Sequence, residues 1–413
     1  MFSRVSLSKI TLIDLLCLGF ILLPVSNSVG QVPLYIAGVW GLIAACRGQV
    51  HLKRPEILLA ALFALILVLS TFTSVRPGNS LSKLNRLLLF PILIAVPCAC
   101  RIPDPRTQLL KLFKAAVLGV VLLALYDLVR IPLEVRAGTP LFHTGNMTAP
   151  QVYMIVLFLL LGLRAESGRP GRATLLLLIV LIAAGILLHN KRGVWLATLI
   201  TLPVWTLWSR QWKTLLGMVL ICTLAFSLPF VRERLHNVRD NLSPRHGGRY
   251  TLWEAVAPRL ISQYPFGMGF NASEHEDFRA IIDQVNADLP RNARYHLEDR
   301  LRHLHNNLLQ IRLELGLHGV IVWSLWMLYA LWLAFRPAPR ELRLLRGAIA
   351  CALLALLLNG IVEYNFGNSE IFMNYLMLFG MLHAVAWPAS AAAPVPAPPP
   401  AVPATSGQNT KDN

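Results

Sequence analysis

The stretch His303-Leu304-His305-Asn306-Asn307 is the most chemically pointed in the chain. Arg312, Glu314 and Gly316-Leu317-His318-Gly319 follow it closely. A histidine titrates near neutrality and serves as a general base, a structural hydrogen-bonding group or a metal ligand, and an HxH pair admits all three. No Cys or acidic pair stands nearby at zinc spacing, so no metal is expected. Read as a helix at about 100° per residue, Arg312, Gly316 and Gly319 fall within about 40° of His305. His303 falls about 200° away, so only one of the two histidines should face a given partner. At ~1.5 Å per residue His305 should stand about 16 Å above Gly316, near the water interface. Asn306 and Arg312 are the supporting polar groups, and His303 is the rival of His305.

Two basic motifs accompany the histidines. Arg249 and Trp253 form an R-x-x-x-W pair on one helical face, behind Gly247-Gly248. An Arg near a helix start can share an anion with the backbone amides. The equal alternative is a solvated Arg paired with Glu254 or another acid. Downstream, Tyr264-Pro265-Phe266-Gly267-Met268-Gly269 reads as a turn. Lys191-Arg192-Gly193 sits in a tight connection between two apolar spans. These two cations are either snorkelling at a helix end or holding an anion. Acids within apolar spans are few: Asp14, Asp127 and Glu363. They admit an ion path, but their places near span ends argue against one. There is no acidic cluster for Mg²⁺, no Walker lysine and no HExxH.

The elements that must position these residues are apolar helices. Hydrophobic residues make up 55% and charged residues 14%, with mean hydropathy +0.56. Soluble domains carry about 25% charged residues. This excludes a disordered protein, a disulfide scaffold and a conventional soluble enzyme. Twelve apolar spans are expected, at 10–29, 32–46, 56–74, 84–100, 108–129, 150–165, 173–189, 193–208, 214–231, 316–335, 347–365 and 370–387. The first span is longer than a signal-peptide core and is expected to be retained. The six cysteines all lie in apolar segments and read as small buried hydrophobes.

Charge sets the expected orientation. Starting inside, the inner segments hold 19 Lys and Arg and the short outer loops seven, which puts both termini in the cytoplasm. Much of the net charge of +17 is thereby explained, and nucleic acid is not expected as a partner. The expected organisation is spans one to nine in 1–231, an outward helical segment at 232–315, and spans ten to twelve in 316–387. A disordered Pro/Ala-rich cytoplasmic tail would complete it at 388–413. The outward segment holds six of the eleven histidines, and 249–260 and 293–315 read as its helices. A segment that long between spans is a candidate functional element.

Taken together, these motifs resemble the O-antigen ligase family, whose superfamily includes O-antigen polymerases and protein O-oligosaccharyltransferases. The most specific piece is His305-Asn306 followed, nine residues on, by Gly316-x-x-Gly319; Arg192-Gly193 and Arg249/Trp253 match two further motifs. Lys191 stands where that family often has Ser. The resemblance implies an all-α polytopic glycosyltransferase of GT-C type in a bacterial inner membrane, with its site on the periplasmic face. It implies an undecaprenyl-diphosphate-linked O-antigen as donor and lipid A–core oligosaccharide as acceptor, with membrane lipids around and no cofactor. It also implies an inverting transfer with His305 as base and Arg192 and Arg249 on the diphosphate. Competing readings are an O-antigen polymerase and, from another class, a lipid or solute transporter. A transporter should place its polar sites near the membrane midplane on broken helices, whereas this chain concentrates them in the outer segment.

Overall fold

A computed structural model describes residues 10–48, 54–100, 104–138, 148–189, 191–212, 248–296, 301–336 and 339–386, with isolated positions between 216 and 232. The described residues are helical with no strand. The helices are α1 (Leu12–Leu22), α2 (Asn27–Cys46), α3 (Pro55–Phe72), α4 (Pro77–Ser82), α5 (Ile92–Cys100), α6 (Pro105–Arg136), α7 (Ala149–Glu166), α8 (Arg169–Leu188) and α9 (Arg192–Ser209). A unit of shorter helices follows, with α10 (249–263) and α11 (Arg279–Ala287). The chain then returns through α12 (Asn307–Phe335), α13 (Arg343–Val362) and α14 (Ser369–Ala386).

Nine helical stretches among the described residues are long and apolar enough to cross a membrane. The expectation of twelve is therefore only partly met. Most of span 214–231 falls outside the described residues, and the tail 388–413 wholly so. Span 10–29 is corrected to the short helix α1, because Pro24 cannot continue it, and α2 starts at Asn27. Prolines and a cap mark other starts. Pro55 opens α3, and Asp104 accepts from the amides of Arg106 and Thr107 ahead of Pro105 in α6.

Burial separates the roles of the helices. The apolar windows of α14 and α7 are 89% and 83% buried, and that of α8 only 17%. Thus α7 and α14 form the centre, while α8 faces outward toward lipid. α13 packs between α7 and α9, and α12 lies along α3. A second, separate core lies in the unit of α10 and α11, where Leu252, Val256, Leu260, Met268, Phe278 and Leu304 are all buried. That small core is what shapes the loops carrying His303 and His305.

The expected helix 293–315 is not continuous. Ala293 ends a single 3-10 turn, residues 301–304 form no helix, and α12 starts at Asn307. His305 adopts a left-handed φ of 50° just before the cap. Asn306 is the N-cap, its side chain accepting from the Leu309 amide at 3.0 Å. The capping chemistry of Asn306 thus starts a helix within a stretch whose freedom from Pro and Gly favoured a longer one.

Candidate active site

Three segments converge at the C-terminal end of α13. Its last residue is Val362, and Glu363 continues in extended backbone. Phe366 anchors that exit in the bundle, packed edge-on against Phe63, Trp323 and Phe372. Asn307 ties it to the start of α12. Its Nδ2 donates to Asn365 Oδ1 at 2.8 Å, and its Oδ1 accepts from the amides of Asn365 and Phe366. Asn306 Nδ2 donates to the Ile361 carbonyl at 2.8 Å. The Asn-Asn pair is therefore a staple that holds the His loop against the segment that leaves α13 at Glu363.

The helix α10 supplies the other side. Trp253 Nε1 donates to the Leu304 carbonyl at 2.8 Å, and the Leu304 amide donates to Gln310 Oε1 at 2.8 Å. Leu304 is fully buried, so the histidines flanking it are held from behind. A wider π-turn at Leu252–Val256 interrupts α10 beside this contact. Arg249, one turn before Trp253, reaches Glu363. Its Nη2 lies 2.9 Å from Oε2, and its Nη1 donates to the Val362 carbonyl. Of the two readings of Arg249, pairing with an acid describes the geometry, and the acid is Glu363 rather than Glu254.

Glu363 is the hub. Its Oε1 lies 2.8 Å from His305 Nδ1 and 3.6 Å from His303 Nε2, and the two imidazole rings are 4.3 Å apart. The expectation that only one histidine could face this way is therefore overturned. It assumed a helix, and the non-helical backbone with a left-handed turn at His305 turns both rings to one carboxylate. The His305 and Glu363 side chains remain 29% and 27% exposed, so a substrate can reach them.

Electrostatics fixes the protonation pattern. Burial by itself raises Glu363, but the two histidines and the Arg249 guanidinium outweigh it and hold the carboxyl well below the usual range. Burial lowers His305 below its ordinary value, opposed only in part by Glu363. At neutral pH the carboxylate is ionised and can only accept. His305 then carries its proton on Nδ1 and presents Nε2 as the basic lone pair.

The remaining expected residues fall around this hub. Arg192 opens α9 and is half-buried. The next residue, Gly193, abuts α13, where a Cβ would approach Val362 Cγ2 to 2.8 Å. Arg192 and its N-cap Lys191 thus stand at the same end of the bundle as Glu363. Arg312 does not join them. Its Nη1 donates to the Pro265 carbonyl at 2.8 Å, so it holds the 264–269 turn. Gly316 does not share a smooth helical face with His305 either, because its φ of 72° and ψ of −172° break α12. The carbonyls of Leu313 and Glu314 accept from the amides of Met268 and Gly269, both at 2.9 Å. Gly267 and Gly316 each have positive φ and touch the opposing backbone, so glycine is required at both.

Glu363 was visible in the sequence only as an acid near a span end. The signal that finds it is the need for a carboxylate to neutralise Arg249 and orient His305. The donor atoms of His303, His305 and Glu363 lie within 4.8 Å of one another, a set with the chemistry to hold a divalent ion. The Arg249 charge on the same carboxylate opposes that use.

Comparison with known families finds that residues 177–324 match the family model described as O-antigen ligase. The matched stretch contains Arg192, Arg249, Trp253, His303, His305 and Gly316 and stops short of Glu363. No curated protein matches the chain.

Proposed function

We propose that this chain, a member of the O-antigen ligase family through its 177–324 domain, transfers O-antigen from undecaprenyl diphosphate to lipid A–core oligosaccharide. The observation that carries the reading is the chain of contacts from Arg249 through Glu363 to His305. An ionised carboxylate on Nδ1 locks the imidazole tautomer, as an acid does behind other histidine bases. His305 Nε2 takes the proton of a core hydroxyl as its oxygen attacks the anomeric carbon. The bond from that carbon to the diphosphate breaks with inversion, and undecaprenyl diphosphate leaves carrying the electron pair. Diphosphate is a good leaving group and needs no general acid. Arg192 and the open edge of Arg249 stabilise its charge. The site faces the periplasm, with both termini in the cytoplasm, and neither ATP nor a metal takes part.

The test is reconstitution. Purified protein with lipid-linked O-antigen and lipid A–core should form full lipopolysaccharide in EDTA without ATP. Chain growth on the lipid carrier with a bare core would assign a polymerase instead. A requirement for ATP, or EDTA inactivation reversed by one divalent ion, would overturn the mechanism. Arg192→Ala should lose most activity while Arg279→Ala, an exposed arginine of α11, should not. Arg192→Lys should restore only part, since lysine lacks the two-pronged contact.

A further inference from the structure

The opposite end of α13 holds a second arginine site that this reaction does not use. Arg346 lies 17 residues before Glu363, about 25 Å away along the helix. It is only 6% exposed, yet its Nε and Nη1 are buried and meet no hydrogen-bond partner among the described residues. No carboxylate among them pairs with it. A buried guanidinium without a counter-charge is costly. Its place adds to the cost, because the first turn of a helix disfavours cations and this one contains no acid.

The surroundings indicate what neutralises it. Arg346 Cζ sits 5.5 Å from the centre of the Trp208 ring. Trp208 is itself clamped to the exposed Arg343, with Nε1 donating to the Arg343 carbonyl and Arg343 Nη2 donating back to the Trp208 carbonyl. The Trp208 ring also packs against Phe335. A second Trp–Arg pair lies at the same end, Trp332 with Arg336 at 4.9 Å. Tryptophan and arginine together mark the headgroup level of a bilayer. Beside them Leu207 and Phe335 are 61% and 69% exposed, an apolar surface for acyl chains. Charge asymmetry assigns this end to the cytoplasmic leaflet.

We propose that Arg346, with Arg343 and Trp208, seats the phosphate of an anionic phospholipid in the inner leaflet. Guanidinium binds phosphate oxygens by parallel hydrogen bonds, and basic pockets between spanning helices on this side suit anionic headgroups. The remaining exposure of Arg346 is the edge through which the phosphate enters. The headgroup would neutralise the buried charge while the acyl chains cover Leu207 and Phe335.

The test uses the full chain in phosphatidylcholine nanodiscs with and without phosphatidylglycerol. Its readouts are the thermal unfolding midpoint and the lipid retained in native mass spectrometry. Phosphatidylglycerol should raise the wild-type midpoint by about 2–4 °C. Arg346→Leu should abolish that rise and cut retained phosphatidylglycerol about five- to tenfold. Arg346→Lys and Arg343→Ala should each keep part, and both remain informative should Arg346→Leu fail to fold. Inorganic phosphate should leave the midpoint unchanged, and a rise equal to that with lipid would replace the lipid by a soluble phosphate. An undiminished lipid effect in Arg346→Leu would overturn the site. So would a variant more stable than wild type in both membranes, since Arg346 would then be only an uncompensated charge. Transfer activity plays no part in the readout, so failure here leaves the reading of His305 untouched.

Discussion

Two of the histidine–carboxylate pairs among the described residues have nearly equal length in very different surroundings. His305 Nδ1 lies 2.8 Å from Glu363, and His189 Nε2 lies 2.9 Å from Asp127. The first pair is more than a quarter exposed. In the second, the side chains are 1% and 6% exposed. The buried pair also takes the Tyr153 hydroxyl at 3.0 Å, and Trp195 Nε1 donates to the Ile186 carbonyl across the same turn. It therefore anchors the junction of α8 and α9, from which Lys191 and Arg192 project. The difference teaches that the pair alone does not make a base. Access to the ring nitrogen turned away from the carboxylate does, and of the two pairs only the first offers it: His305 is partly exposed, whereas the remaining nitrogen of His189, Nδ1, is buried.

The largest effect that tests this contrast is His305→Ala. It should cut transfer by about 10²–10⁴-fold, the usual worth of a positioned base, in protein that still reaches the membrane. Donor binding should be largely kept, because the base acts on the acceptor. Activity near wild type would end the assignment of His305 as base. Glu363→Gln comes next, with a loss of up to about 10⁴-fold from releasing the imidazole tautomer. The wild-type rate should rise through a pKa below the ordinary histidine value and then level off, since burial lowers His305. Removing the Glu363 charge removes the influence that raises that pKa, so the acid limb of Glu363→Gln should move to still lower pH. A limb moving upward would show that the carboxylate does not act on His305.

Asp127→Asn should behave oppositely. Breaking a buried pair costs about 3–5 kcal/mol, read as a lower unfolding midpoint and poorer yield. The enzyme that does fold should keep most of its turnover. A catalytic loss as large as that of His305→Ala, with unchanged stability, would erase the distinction between the two pairs. The smallest effect should come from His303→Ala. His303 stands 3.6 Å from Glu363 and is not locked by it, so a loss of less than about tenfold is expected. An inactive His303→Ala beside an active His305→Ala would exchange their roles.

Composition and hydropathy alone determined that this is a polytopic helical membrane protein, because backbone groups in hydrocarbon must be satisfied within each span. Residue type and spacing also singled out His305, Arg192 and Arg249, since the motif residues lie within short stretches of chain. Two things were decided only by tertiary structure. Asn306 caps α12 and His305 turns left-handed, so both histidines share one carboxylate where helical periodicity had separated them. Glu363 is 58 residues from His305 and 114 from Arg249, and only the packing of α10, α12 and α13 brings the three together. An ion pair across such separations leaves no periodic trace in sequence. Its partners are chosen by which helix ends meet.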